Sequence, residues 1–421
     1  MEQTATKLWN KNFIMLVIGQ IVSLFGNAIL RWALPFYIYL GSGSPELFGT
    51  VMGISVIPMI IISPLGGVLA DRVNKKRLIV FLDFFVAAVV FLYLLAIGSL
   101  SIVPITIIVL MLLLATNSMM SSATDSSFPL IVPPEELVRV NSATMTINTL
   151  SMLLGPVIGG LLIIEFGLRS LLIVGGICFG LAAIMEIFIR IPYVKQKNEG
   201  NLFRLVASDL NKGIHFAFKT ESVIGKFLIL IILMNFLLSG FVAIGIPVLT
   251  IQNLGMNERL VGIAAGIMGA GGIAGGIISG ILGKRVRIQK NHWKVFSIGI
   301  FFILIGLVFF LPVNNTLTFV IMVAMVFCSS LTMTIATIQM MTFVQRVAPP
   351  EVLGKLMGLV MTATMLAQPF GNWAYGFLLE RFFEDPWTFL FPAAVLVMIV
   401  ALWSRTFFKK IPTKPQRSDS Q

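Results

Sequence analysis

Long apolar runs, each divided from the next by a few polar residues, fill the 421-residue chain from near its start to near its end. Twelve of them are long enough to cross a hydrocarbon core of about 30 Å as helices. They cover residues 12–40, 45–70, 77–98, 102–125, 137–164, 168–190, 223–251, 257–283, 293–312, 316–344, 352–379 and 387–408. A bilayer offers no water to open backbone groups, so runs of this kind must be helical. The pattern predicts an all-α membrane protein with twelve transmembrane helices. The first run is too long for a signal peptide and has no small-residue cleavage site, so it is expected to stay as the first helix. Composition agrees, with 57% hydrophobic and only 11% charged residues.

The charges that remain give a net +12. Such basicity would suit a nucleic acid if it formed one patch, but its distribution is regular. With the N-terminus inside, every Lys and Arg except Arg31, Arg169, Arg259 and Arg381 falls in a cytoplasmic segment. The positive-inside rule accounts for that pattern with no nucleic-acid partner and puts both termini in the cytoplasm. Cys178 and Cys328 fall inside the sixth and tenth runs, as small buried apolar residues, and no disulfide or metal-ligand spacing exists. There is no GxxxxGK[ST] loop for ATP, and no His, Cys or Ser constellation converges, His292 being assigned to the loop before the ninth run. No enzyme activity and no cofactor are expected.

The one long polar segment after the first run, residues 191–222, divides the chain into two blocks of six helices. Leu202, Leu205, Val206, Leu210 and Phe216 would give it the apolar stripe of an interfacial helix that also carries His215. The expected organisation is an N-terminal six-helix bundle over 1–190, a cytoplasmic linker over 191–222, a C-terminal bundle over 223–408 and a cytoplasmic tail over 409–421. The blocks echo each other. PELFGTVMG (45–53) matches NERLVGIAAG (257–266) at an offset of 213, which also places Gly67 on Gly280 and Pro156 on Pro369. At 216, IVPPEEL (131–137) meets VAPPEVL (347–353). Internal repeats of this kind are the common construction of secondary transporters.

Between the second and third runs lies GGVLADRVNKKRL (66–78), a tight turn with charges of both signs. Gly67 permits close approach of a neighbouring helix, and Asp71 would meet the positive end of a helix dipole. Arg72, Lys75, Lys76 and Arg77 can pair with acids or lipid phosphates, Asp125 being a candidate partner of Arg72 or Arg77. This stretch resembles the loop signature of the major facilitator superfamily, in which a Gly, an Asp–Arg pair and basic residues lock the cytoplasmic gate. Asn74 stands where many members have Gly, and Lys284 occupies the Asp71 position of the second half.

A second stretch, SMLLGPVIGG (151–160), resembles the antiporter motif of drug exporters in that superfamily, with Gly155, Pro156, Gly159 and Gly160 in place and Ser151 for its first glycine. These residues give a smooth face and a kink, expected to pack against a helix of the other half near the outer side. The whole chain looks like the branch that holds macrolide efflux proteins and siderophore-type exporters. The resemblance implies the major facilitator fold, a bacterial cytoplasmic membrane, a monomer, and export of a small molecule, a macrolide-like drug first and a siderophore, lysolipid or other metabolite next. The fourth run has Leu113 about where many proton-coupled exporters place an Arg. A non-transporting receptor or scaffold is the rival from another class.

Polar residues within the bilayer are expensive, so aligned ones mark a wet face. Gln20, Ser23, Asn27 and Arg31 make one stripe in the first run, Asn141, Thr144, Asn148 and Ser151 another in the fifth, and Thr364, Gln368, Asn372 and Tyr375 a third in the eleventh. Asn117, Asn235 and Gln339 add single amides. Together they predict a central substrate cavity. Arg31 would either reach the outer surface or face that cavity, where it would favour anionic or carbonyl-rich compounds. Asp83, Asp125 and Glu186 are the carboxylates of the runs that lie toward the cytoplasmic side and so the candidates for a proton site, Asp83 first.

Overall fold

A backbone surrounded by lipid must close its own hydrogen bonds, and the computed structural model meets that demand with helices throughout. The described residues are 11–63, 73–99, 101–192, 202–282, 288–409 and 411, and no strand occurs among them. In chain order the long helices are α1 (Lys11–Ser42), α2 (Pro45–Ser63), α3 (Lys75–Ala96) and α4 (Ile102–Asp125). A single helical stretch, Leu137–Ile187, follows, then α7 (Ser222–Asn253), α8 (Arg259–Leu282), α9 (Asn291–Phe310), α10 (Asn315–Val347), α11 (Pro350–Arg381) and α12 (Trp387–Phe408).

Eleven of the described helices are long and apolar enough to cross a membrane. The stretch Leu137–Ile187 is 51 residues long, and Gly167 breaks it with φ 71° and ψ 173°. That left-handed conformation is one that a residue with a Cβ rarely adopts, and it divides the stretch into α5 (137–166) and α6 (168–187). With that stretch divided at Gly167, the eleven spans are consistent with the twelve read from the apolar runs. Apolar side chains on their outer faces stay exposed, as at Leu95 and Ile281, 76% and 77% accessible, which suits a surface in contact with lipid.

Local signals set the helix ends. Ser44 caps α2, its Oγ accepting from the Leu47 N–H at 3.1 Å, with Pro45 at the first helical position. Asn74 caps α3, its Oδ1 accepting from the Arg77 N–H at 3.1 Å. The departure from glycine at 74 therefore supplies a helix start. In α7 the turns widen at Phe241–Gly245 and Leu249–Asn253, on either side of Pro247, which has no N–H for the ladder.

The chain separates into two compact units. The first holds Met1–Asp209 together with two short pieces, Glu258–Gly266 and Asn372–Gly376. Its core gathers Phe13 and Leu16 of α1, Ile79 and Leu82 of α3, Met120 and Ala123 of α4, Val140 of α5 and Ile189 just past α6. The second holds Leu210–Asn257, Ile267–Gly371 and Phe377–Gln421. There Phe227, Phe407 and Phe408 stack with ring centroids 4.9 to 5.6 Å apart. The linker helix Leu202–His215 is amphipathic as expected, and Gly213 comes up against the Lys355 backbone of α11.

Within the second unit α8 lies directly on α10. A Cβ on Gly271 or Gly275 would come within 2.5 Å of the carbonyl oxygens of Phe327 and Leu331, whereas nothing lies within 4 Å of one on Gly276. Close approach of this kind is how helices associate in lipid. Gly275→Leu is therefore expected to cost about 1–3 kcal/mol through overpacking. It should lower the melting temperature of the detergent-purified protein clearly below that of Gly276→Leu, a comparison that thermal unfolding by tryptophan fluorescence checks directly.

Candidate functional site

The glycine-rich stretch of α5 is seated on α1. A Cβ on Gly155 would meet Ala28 Cβ at 2.8 Å, one on Gly159 the Ile29 carbonyl oxygen at 3.0 Å, and one on Gly160 the Trp32 ring at 3.2 Å. The three glycines turn to α1 of their own half. Val157, between them, has Gly262 and Gly266 of α8, in the piece Glu258–Gly266, against it. Ser151, one turn below, is buried with its hydroxyl unpaired.

The same helix α1 carries a second contact one to two turns earlier. Asp83 of α3 and Glu186 of α6 are 1% and 2% exposed. Ser23 Oγ of α1 donates to Asp83 Oδ1 at 2.9 Å. Glu186 lies against Gly19, where an added Cβ would stand 3.0 Å from Oε1. Gly19 and Ser23 are four residues apart and hence on one face of α1, so α1 presses on both carboxyl groups at once. These groups are within hydrogen-bonding reach of each other, while Asp83 Oδ2 and Glu186 Oε2 receive no donor from elsewhere. Two of the three carboxylates singled out from the sequence therefore form one buried pair. The third, Asp125, ends α4 exposed, and no ion pair joins it to Arg77 among the described residues. Of the charged turn, Lys75, Lys76 and Arg77 open α3, whereas Gly67, Asp71 and Arg72 lie outside the described residues.

The polar stripes divide. In α1, Gln20, Ser23 and Asn27 are all buried, and Ser23 is committed to Asp83. Arg31 is half-buried, and α1 continues eleven residues past it, about 16 Å, so it does not mark the helix end. Thr144 is buried, Asn148, Asn117 and Gln368 are half-buried, and Asn141 is exposed. Asn235 Nδ2 donates to the Ile231 carbonyl at 2.9 Å and Thr364 Oγ1 to the Val360 carbonyl at 2.9 Å, each a bond within its own helix. Asn372 is buried with Oδ1 unpaired, and its carbonyl oxygen would stand 2.5 Å from a Cβ on Gly49. In the same unit Arg259 pairs with Glu165.

Sequence reasoning missed Lys294. Counted with the basic loop before the ninth run, it belongs to α9, and its Nζ donates to Asn291 Oδ1 at 2.5 Å and to Gln339 Oε1 of α10 at 2.7 Å. Gln339 is thereby engaged inside the second unit. His292 likewise belongs to α9 and is buried, beside Trp293. The signal was the amide Asn291 three residues before a lysine, a cap-like spacing at a helix start.

Solved structures of 12–14% sequence identity share the fold. A peptide transporter POT variant in complex with alafosfalin superposes with a TM-score of 0.73, covering 96% of each chain. The nucleoside transporter NupG gives 0.68 over 94% of this chain and 99% of that one. A D-xylose-proton symporter gives 0.69 over 94% and 96%. In sequence, the macrolide efflux protein A of Streptococcus pyogenes is 23% identical over 407 residues, 94% of this chain and 95% of that protein. The multi-drug resistance efflux pump PmrA of Streptococcus pneumoniae is 24% identical over 298 residues, 68% and 69%. Residues 16–372 match the Major Facilitator Superfamily, and with its helices paired in this way the chain belongs to that family of membrane transporters.

Proposed function

We propose that this transporter exports an amphipathic small molecule from a bacterial cytoplasm, a macrolide-like compound being the leading candidate. It works as a monomer, with both termini inside, by alternating access of residues 1–190 and 223–408. The observation that carries the reading is the seating of Gly155, Gly159 and Gly160 on α1, in a chain that aligns with a macrolide efflux protein along 94% of its length. A face without Cβ atoms lets α5 pack on α1 at backbone distance, so that residues 1–190 can move as one body against 223–408. Proton entry supplies the driving force. One proton moving down 100 mV yields about 2.3 kcal/mol. That is roughly a 50-fold gradient of substrate.

Two experiments test it. Cells expressing the chain are expected to accumulate several-fold less erythromycin than control cells, and a protonophore should abolish the difference. A siderophore or lysolipid lowered in its place would move the substrate, and no change for any compound, ethidium included, would remove the export reading. Gly155→Leu should abolish that export. The milder Gly155→Ala should impair it two- to tenfold, with Ala28→Gly in the same chain restoring most of the loss, because the methyl group that it meets is gone. Undiminished export by Gly155→Leu at normal membrane levels would separate the motif from function.

A further inference from the structure

Resting on the export reading, we propose that Asp83 and Glu186 form a single proton-binding unit that couples export to proton entry through α1. Both side chains are almost fully inaccessible, and they approach each other from α3 and α6 over the face of α1 that carries Gly19 and Ser23. Two carboxylates this close cannot both hold charge without a cation, and the pair then titrates as one group. A proton held by one carboxyl group supplies the donor that the other lacks, and the Ser23 hydroxyl supplies the next.

The charged groups around the pair are few. Asp83 and Glu186 are each other's charged neighbours, and α1 offers only the Ser23 hydroxyl and the Gly19 backbone. On α3 the basic residues Lys75, Lys76 and Arg77 lie near the helix start, about two turns from Asp83. Asp125 at the end of α4 and Arg190 beyond α6 are exposed. No ion pair to either carboxyl group occurs among the described residues. Among the described residues the pair therefore has no cation to neutralise, as a structural salt bridge would.

The pair is also a departure from the shared scaffold of the two halves. At offsets of 213 and 216 the counterparts of Asp83 are Phe296 and Gly299, and those of Glu186 are Ile399 and Leu402. The second half builds the same helices with apolar residues there, so folding the bundle does not require the carboxyl groups. Burying them is costly, and a proton that comes and goes is what gives that cost a use.

The test uses the full chain in lipid. Infrared difference spectra between acidic and alkaline buffer should show one protonated-carboxyl band in the wild type. Asp83→Asn and Glu186→Gln, both close in shape, should each leave one band from the carboxyl group that remains, with its midpoint moved by a pH unit or more, and Ser23→Ala should shift the wild-type midpoint. Bands that fall by halves, or that neither variant touches, would overturn a shared proton. Replacing sodium with choline should leave the wild-type titration unchanged, whereas a sodium-dependent midpoint would make the pair a sodium site and overturn the proton assignment. In proteoliposomes with an imposed pH gradient, erythromycin export by the wild type should fall at least tenfold in both variants. Full gradient-driven export by the variants would overturn the pair and leave the exporter standing. A band that behaves as described in a protein that moves no erythromycin would sustain the pair and overturn the export reading alone.

Discussion

Lipid is as apolar as the surfaces that it covers, so two oily helices gain almost nothing by leaving it for each other. Association must come from close packing, and close packing needs backbones that can touch. The structure answers with glycine wherever two helices cross tightly. Gly271 and Gly275 bring α8 onto α10, Gly371 brings α11 onto the Phe236 carbonyl of α7, and Gly155 and Gly159 bring α5 onto α1. Gly49 meets the backbone at Asn372 and Gly376 in the same way. At each point a single methyl group would stand 3.0 Å or less from a neighbouring atom.

The second constraint is the cost of charge away from water, and the two units meet it differently. In the second, Lys294 donates to the neutral amide oxygens of Asn291 and Gln339, which take two of its three N–H groups. In the first, Asp83 has one hydroxyl donor and an acidic neighbour. The lysine charge faces two acceptors, while each carboxyl group of the pair faces another acid and the pair has the one Ser23 donor. A complete polar site fixes a structure, whereas an incomplete one invites a ligand. The proton is the smallest ligand that fits between two carboxyl groups.

Most of the helices were legible because length and apolarity decide a membrane span with little competition from other forces. The Gly167 break was legible as well, since the short polar interval at 165–167 separated two runs. What sequence could not give was the partner of each polar side chain. A period of 3.6 residues says that Gln20, Ser23 and Asn27 share a face, but not that Ser23 is bonded to Asp83 of α3. It could not pair Asp83 with Glu186, which lie on separate helices far apart in the chain. Nor could it tell Asn235 and Thr364, spent on their own helix backbone, from amides and hydroxyls free to meet a substrate. Lys294 was counted with the loop because charge counting assigns a basic residue there, and the polar Asn291 and His292 before it extended the loop into α9.

Both contacts that carry the functional reading end on α1. The carboxyl pair bears on Gly19 and Ser23, and the α5 glycines bear on Ala28, Ile29 and Trp32. Ser23 and Ala28 are five residues apart, about 7.5 Å along the helix. An unbroken helix of that length does not compress, so a shift forced at Ser23 by loss or gain of a proton arrives at Ala28 nearly whole. There the α5 backbone lies too close to absorb it. Had the motif packed by large side chains, rotamer changes would have taken up the displacement, but a glycine has none to change. A seat without side chains passes motion on, which gives the exporter-type glycines and the buried carboxyl pair a common mechanical reason to share one helix.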